Sequence, residues 1–501
     1  MDPRFVDLKN RLMEIQDLSK AEAVLGWDQE TMMPPKGGPA RAEQLATLSR
    51  IVHEKFTSPE VGKLLEALRK YEESLPYDSD EASLIRVSRR DYEKLSKVPA
   101  ELAGEITRTA AIARDAWVEA RRGSDFKAFL PHLRKNVELK LRYVECFSPT
   151  GNPYDILLDD YERDTTTAEV HDIFGALKKD LVPLIAAIGS SRHQVDDRCL
   201  RGQFPADKQR DFCLAVVSRF GFNPDSWRLD PTVHPFSTSF ATGDVRITTR
   251  YHEDLISAAL FGCMHECGHG LYDGGVDPEL ERTPLGEGIS LAWHESQSRL
   301  WENLVGRSRP FWKHFYPALR SAFSAQFGQI DMETFYRAIN RVQPSLIRVE
   351  SDEATYGLHI ILRFELEQEI ILGKLPLQDL PEAWNARMKD YLGVNVPDDA
   401  QGVLQDVHWS HGSFGYFPTY AMGNIIASQV WSKVVADIPN LSAQFERGDF
   451  SELRAWLRDH LYRHGRKFTP KEMRQRLLGG PIDVGPYVQY LKNKYGEIYR
   501  L

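Results

Sequence analysis

Residues Glu253 to Gly275 read EDLISAALFGCMHECGHGLYDGG. Acidic residues open the stretch, apolar residues recur at helical spacing, and Gly274-Gly275 stops it. The pattern predicts a helix of roughly five turns. At its centre lies His265-Glu266-Cys267-Gly268-His269, an H-E-x-x-H arrangement. Histidines four residues apart share one helix face, where both imidazoles can hold one divalent ion. Glu266, beside the first histidine, can take a proton from water bound to that ion, whose pKa falls to about 7. A surface helix with two histidines and a glutamate would look the same. This helix is apolar enough to be buried, an expensive place for such groups without a metal.

A catalytic site needs a third protein ligand and an open position. Nearby candidates are Asp273, Asp277, Glu279, Glu281, Glu287, His294 and Glu295. A third histidine beyond a glycine is absent, since Tyr272 and Gly275 hold those positions. Glu295 is the better choice because Gly288 to Trp301 reads as a second helix, ending near Gly306 and Pro310. His294 is expected to support a ligand rather than be one, and loop acids such as Asp277 and Glu281 to be solvated. Cys263 and Cys267 bracket His265 and read as small packed residues.

Further out, helical periodicity dominates. Helices are predicted at Phe5–Val24, Ala40–Phe56, Pro59–Ser74, Asp80–Ser96, Pro99–Arg122 and Phe126–Phe147. More follow at Thr167–Ile188, Lys208–Phe220, Met332–Ser345, Thr355–Leu372, Pro381–Tyr391, Tyr420–Ile438, Phe450–His464 and Val484–Arg500. Between Asp230 and Tyr251, Thr238 and Phe240 alternate with Val245, Ile247 and Thr249 around the turn Ala241 to Asp244, predicting a β-hairpin. Its edge could hold substrate backbone as an added strand, or it could be purely structural.

The chain has 501 residues and no dividing linker, so one mostly helical body of residues 1–501, with two lobes, is expected. A net charge of −9 argues against a nucleic-acid surface, and no apolar run is long enough for a membrane span. Five cysteines without a disulfide pattern point to the cytoplasm. Two other clusters carry chemistry. Gln405 to Tyr420 is glycine-rich and crowded with donors, and His408, Tyr416 or Tyr420 could stabilise an oxyanion. Arg348 could clamp a carboxylate or bridge to Asp352 or Glu350, and the bridge is favoured.

Together these segments resemble the carboxypeptidase Taq family of metal-dependent carboxypeptidases. The motifs, in order, are His234-Pro235-Phe236, Asp244 to Thr248, His265 to His269, His294 to Gln297, Ile347 to Asp352 and Gly402 to Trp409, with Gly26 to Pro34 also similar. Ser351 stands where many members carry alanine. The resemblance implies a two-lobed helical body with a deep groove and a small flanking sheet, similar to neurolysin-like zincins. It implies a homodimer that removes single residues from peptide C-termini with broad preference. It makes His265, His269 and Glu295 the ligands of one divalent metal, zinc with cobalt as the alternative, and Glu266 the base. His234, Arg246, Arg348, His408, Tyr416 and Tyr420 are the expected substrate contacts, with Arg348 and His408 closing one end of the groove. An internally cutting oligopeptidase of similar fold, or a helical scaffold with a structural metal, are the rival readings.

Overall fold

In the computed structural model, which describes residues 1–501, helices account for most of the chain. The helix bearing His265 and His269, here the metal helix, spans Ile256–Gly274. It starts later than predicted because Leu255 is extended and bridges to His252 and Arg201. Glu253 and Asp254 instead give their carbonyls to Phe204 and Gly202. The helix bearing Glu295 spans Leu291–Arg299, with Ser290 capping the Trp293 N–H. It runs on as a π-helix, Leu300–Val305, up to Gly306.

Elsewhere the predicted helices form, with instructive differences. Pro59–Ser74 breaks at Leu68 into Pro59–Ala67 and Arg69–Ser74. Met332–Ser345 stops at Ile339. The N-terminal helix extends to Thr31, past the expected end at Val24. A helix at Arg309–Ala322 was not expected, because Pro310 reads as a terminator; here Pro310 lies in the first turn and Ser308 caps it, so the proline starts a helix.

The expected hairpin is present as β2 (Ser237–Ala241) and β3 (Asp244–Thr249). A further strand, β1 (Trp227–Pro231), pairs in parallel with β3, giving the order β1-β3-β2. Its charged residues and terminal proline hid it from pattern reading. Strand β2 is therefore an edge.

Two apolar cores shape the molecule. The larger joins 102 buried residues from Ala113 to Tyr499. The smaller has 14, from the N-terminal helices together with Val276, Leu280 and Leu285 of the segment that follows the metal helix. Between the resulting lobes lies a groove of about 1300 Å³, with Leu12, Ile15, Val52 and Phe56 on one wall and His265, Glu266, His269 and Glu295 on the other. No helix is long and apolar enough to cross a membrane.

Backbone contact fixes the groove floor. A Cβ on Gly268 would lie 2.7 Å from Gln297 O and Ser298 Cα. A Cβ on Gly423, in the helix Pro418–Asp437, would lie 2.6 Å from Glu295 Cγ. Only glycine lets these three helices approach so closely, so Glu295 is wedged between its neighbours. Gly423→Ala should cost about 1–3 kcal/mol of stability by overpacking and should lower the bound metal per chain, read by urea unfolding and elemental analysis.

Candidate active site

His265, His269 and Glu295 converge. One donor atom from each lies within 4.8 Å of the others, and Glu295 Oε2 is 3.5 Å from the Nε2 of both histidines. Each ligand is oriented by a partner. Glu302 Oε2 lies 2.9 Å from His265 Nδ1. His269 Nδ1 lies 2.6 Å from His294 Nδ1, whose Nε2 lies 2.9 Å from Asp273 Oδ1. With the Nε2 lone pair of His269 turned to the site, its proton belongs on Nδ1 and passes the hydrogen bond to His294, which donates in turn to Asp273. Arg299 Nε donates to Glu295 Oε1 at 2.6 Å and its Nη1 to Glu302 Oε2 at 3.1 Å; Arg307 reaches the other Glu302 oxygen at 3.3 Å.

The electrostatics favour a cation. Burial pushes His269 down to about 4, so it is neutral and its lone pair is available. Burial alone would raise Glu295 and Glu302, but Arg299 and the neighbouring histidines together outweigh it: Glu302 is held down at about 2 and Glu295 well below the usual carboxylate range. Glu266, 6% exposed, has no such cation, and burial pushes it up to about 7. Two neutral-capable imidazoles, an ionised carboxylate and an open side toward the groove fit a divalent ion with room for water and substrate.

The expected supporting role of His294 is therefore realised. Asp273, offered as a third ligand, holds His294 instead. Asp277 caps the Glu279 N–H, and Glu281, expected to be solvated, accepts from the Thr242 N–H at 2.7 Å and braces the hairpin turn. Glu302, Arg299 and Arg307 were not singled out from sequence. The one signal available was that Glu302 follows Glu295 by seven residues, two helical turns on the same face.

The expected substrate contacts divide. Tyr416 and Tyr420 line the groove. His408 sits behind them, its Nε2 3.3 Å from the Tyr420 hydroxyl. Arg348 is buried, 5.0 Å from the Tyr420 ring, and forms a bridge, though not to Asp352 or Glu350: its Nε and Nη2 donate to Asp406 at 3.0 and 2.8 Å. Arg363 donates to the other Asp406 oxygen at 2.7 Å. Asp352 instead caps the backbone of Ala354 and Thr355. Arg246 does not line the groove. Asp244 holds its guanidinium, which stacks on Trp27 at 4.3 Å and Phe240 at 4.7 Å, so it ties the N-terminal helix to the sheet. His234 is exposed in the loop before β2 and also lies off the groove wall.

A buried helix presenting two histidines and a glutamate, a carboxylate from the next helix and an open groove define a metallopeptidase. The chain matches the carboxypeptidase Taq (M32) metallopeptidase family over residues 7–495 and belongs to it. It is a metallocarboxypeptidase. Thermostable carboxypeptidase 1 of Thermus thermophilus is 41% identical over 491 residues, 96% of each chain. Carboxypeptidase 1 of Bacillus subtilis is 38% identical over 500 residues, 100% of this chain and 99% of its own. The crystal structure of an M32 carboxypeptidase from Deinococcus radiodurans superposes with a TM-score of 0.97 at 40% identity, covering all of both chains.

Two outcomes are expected. Glu302→Gln should weaken metal binding about 10- to 100-fold, measured by competition with a chromogenic chelator. At the Arg348–Asp406–Arg363 cluster, burial alone would raise the Asp406 carboxyl, but the two guanidiniums hold it well below the usual range. A depressed folded-state value means that the stabilisation is present above about pH 4 and fades as pH falls further. Asp406→Asn should cost about 3–5 kcal/mol at neutral pH, and urea titrations should show the gap to the native protein narrowing only below that pH.

Proposed function

We propose that the protein is a zinc exopeptidase that releases single residues from free peptide C-termini with broad side-chain preference. The observation that carries this reading is the pairing of the His265–His269–Glu295 cluster with the buried Arg348–Asp406–Arg363 cluster behind Tyr420. A divalent ion held by these three ligands supplies Lewis acidity, acidifying water and polarising the scissile carbonyl. Glu266 takes the proton of the attacking water and returns it to the leaving amine; its low exposure and raised pKa suit a group that cycles between both states. Tyr416 and Tyr420 line the groove, and their hydroxyls are the donors assigned to the oxyanion, with His408 beside the Tyr420 hydroxyl.

Selection of the free C-terminus falls to the buried cluster behind Tyr420. Arg348 and Arg363 share the single carboxylate of Asp406, and burial pushes His408 down to about 3, so it is neutral. The trio keeps one net positive charge in a medium that screens it poorly, and that charge attracts a terminal carboxylate. Along the groove wall, edge strand β2 holds substrate backbone as an added strand. Zinc suits two imidazoles and a carboxylate, with cobalt the alternative. The protein works as a cytoplasmic homodimer; its five free thiols suit a reducing compartment.

Glu266→Gln should retain metal and lose about 10²- to 10⁴-fold in kcat. Near-normal turnover by a metal-replete variant refutes the assignment. Amino acids released over time from an unblocked peptide should appear one at a time and stop on chelation. Equal cleavage of the same peptide with an amidated C-terminus would mark an internally cutting oligopeptidase instead.

A further inference from the structure

The N-terminal helix, Pro3–Thr31, reaches across the groove to the edge strand. Lys20 Nζ donates to the backbone carbonyl of Ser239 at 3.0 Å, and Lys20 itself lines the groove. The direction of that carbonyl matters. The Thr248 N–H donates to Phe236 O at 3.0 Å, and the register pairs Thr238 with Arg246. In an antiparallel ladder the hydrogen-bonded pairs alternate, so Phe236 and Thr238 face β3, while Ser237 and Ser239 point their N–H and C=O groups outward.

The outward edge is therefore short. Pro235 has no N–H to offer. Ser237 presents both its groups, and no protein group takes them. Ser239 presents its N–H, but its carbonyl is occupied by Lys20. Beyond it the ladder is broken by a bulge between Ser239 and Ala241. A peptide laid along β2 makes a complete two-bond pair only at Ser237. Two residues further along, at Ser239, its amide must compete with the Lys20 ammonium for the same carbonyl oxygen.

We propose that Lys20 is a specificity-determining residue that caps the edge strand and sets how many substrate residues gain from backbone pairing. The inference rests on the reading of β2 as the strand that receives substrate. Laid antiparallel to β2, a peptide whose C-terminus is fixed passes Ser237 first and Ser239 nearer its N-terminus, so the cap acts on residues added at the N-terminal end. Binding stops improving once a peptide reaches the capped position. The enzyme thereby treats medium and long peptides alike.

The test compares KM for N-blocked peptides of increasing length with one C-terminal sequence, in the native enzyme, Lys20→Met and Lys20→Arg. Methionine keeps the apolar stem and removes the donor; arginine restores a donor. The ratio of short-peptide to long-peptide KM should rise about 2- to 10-fold in Lys20→Met, the worth of one recovered hydrogen bond, and return to the native value in Lys20→Arg. General damage to the wall would scale all peptides together and leave the ratio alone. A second arm methylates each non-scissile amide of the long peptide in turn. If no methylation raises KM, β2 does not receive substrate, and both readings fall. If methylation raises KM but the length ratio is the same in Lys20→Met and the native enzyme, the strand reading stands and the Lys20 cap is refuted.

Discussion

The Arg299 guanidinium is the interaction on which the site depends. It joins Glu295, one of the three groups placed to hold a metal, to Glu302, which orients His265, and it stacks on Tyr356 at 4.5 Å. Two carboxylates in one desolvated space would each favour protonation, and a protonated Glu295 is a poor ligand. One planar cation between them, helped by the adjoining histidines, keeps both ionised. Tyr356 in turn accepts from Arg348 at 3.2 Å, so the chain of contacts runs from the ligands to the cluster behind Tyr420. The His265–His269–Glu295 cluster and the Arg348–Asp406–Arg363 cluster are thus parts of one buried polar network, in which moving one member unbalances the charge of the rest.

Much of this was legible in the sequence for a simple reason. His265, Glu266 and His269 lie on one helix, where spacing translates directly into geometry. Glu295 was readable because the following segment is also helical and brings few competing acids inward. The hairpin was readable from its alternation. What escaped was long-range pairing. Nothing local marks Asp406 as the partner of Arg348, 58 residues earlier. Arg246 carried the look of a binding residue because it is a cation on a motif strand, yet its plane is sandwiched between Trp27 and Phe240, and only the packing of the N-terminal helix reveals that. Pro310 misled for the opposite reason: its effect depends on whether it falls at the first or an interior turn of a helix, which the periodicity around it did not decide.

The glycines add a different kind of constraint. Gly268 and Gly423 carry no chemistry, yet they set the distance between the metal helix, the Glu295 helix and the helix above them. The π-helical turn that follows Arg299 belongs to the same economy. It widens the helix where Glu302, Asn303 and Leu304 are packed on every side, an irregularity often found next to functional groups.

The unequal cores have a consequence for how the enzyme breathes. One lobe rests on 14 buried apolar residues and the other on 102. Between the lobes run ion pairs: Arg90 and Lys94 with Asp159, and Arg466 with Asp91. These pairs are partly buried and carry little apolar area of their own. The smaller lobe therefore has the least apolar burial holding it, and sub-global opening is expected there first. Amides of its helices would exchange with solvent by sub-global opening, and those of the metal helix only when the whole molecule unfolds.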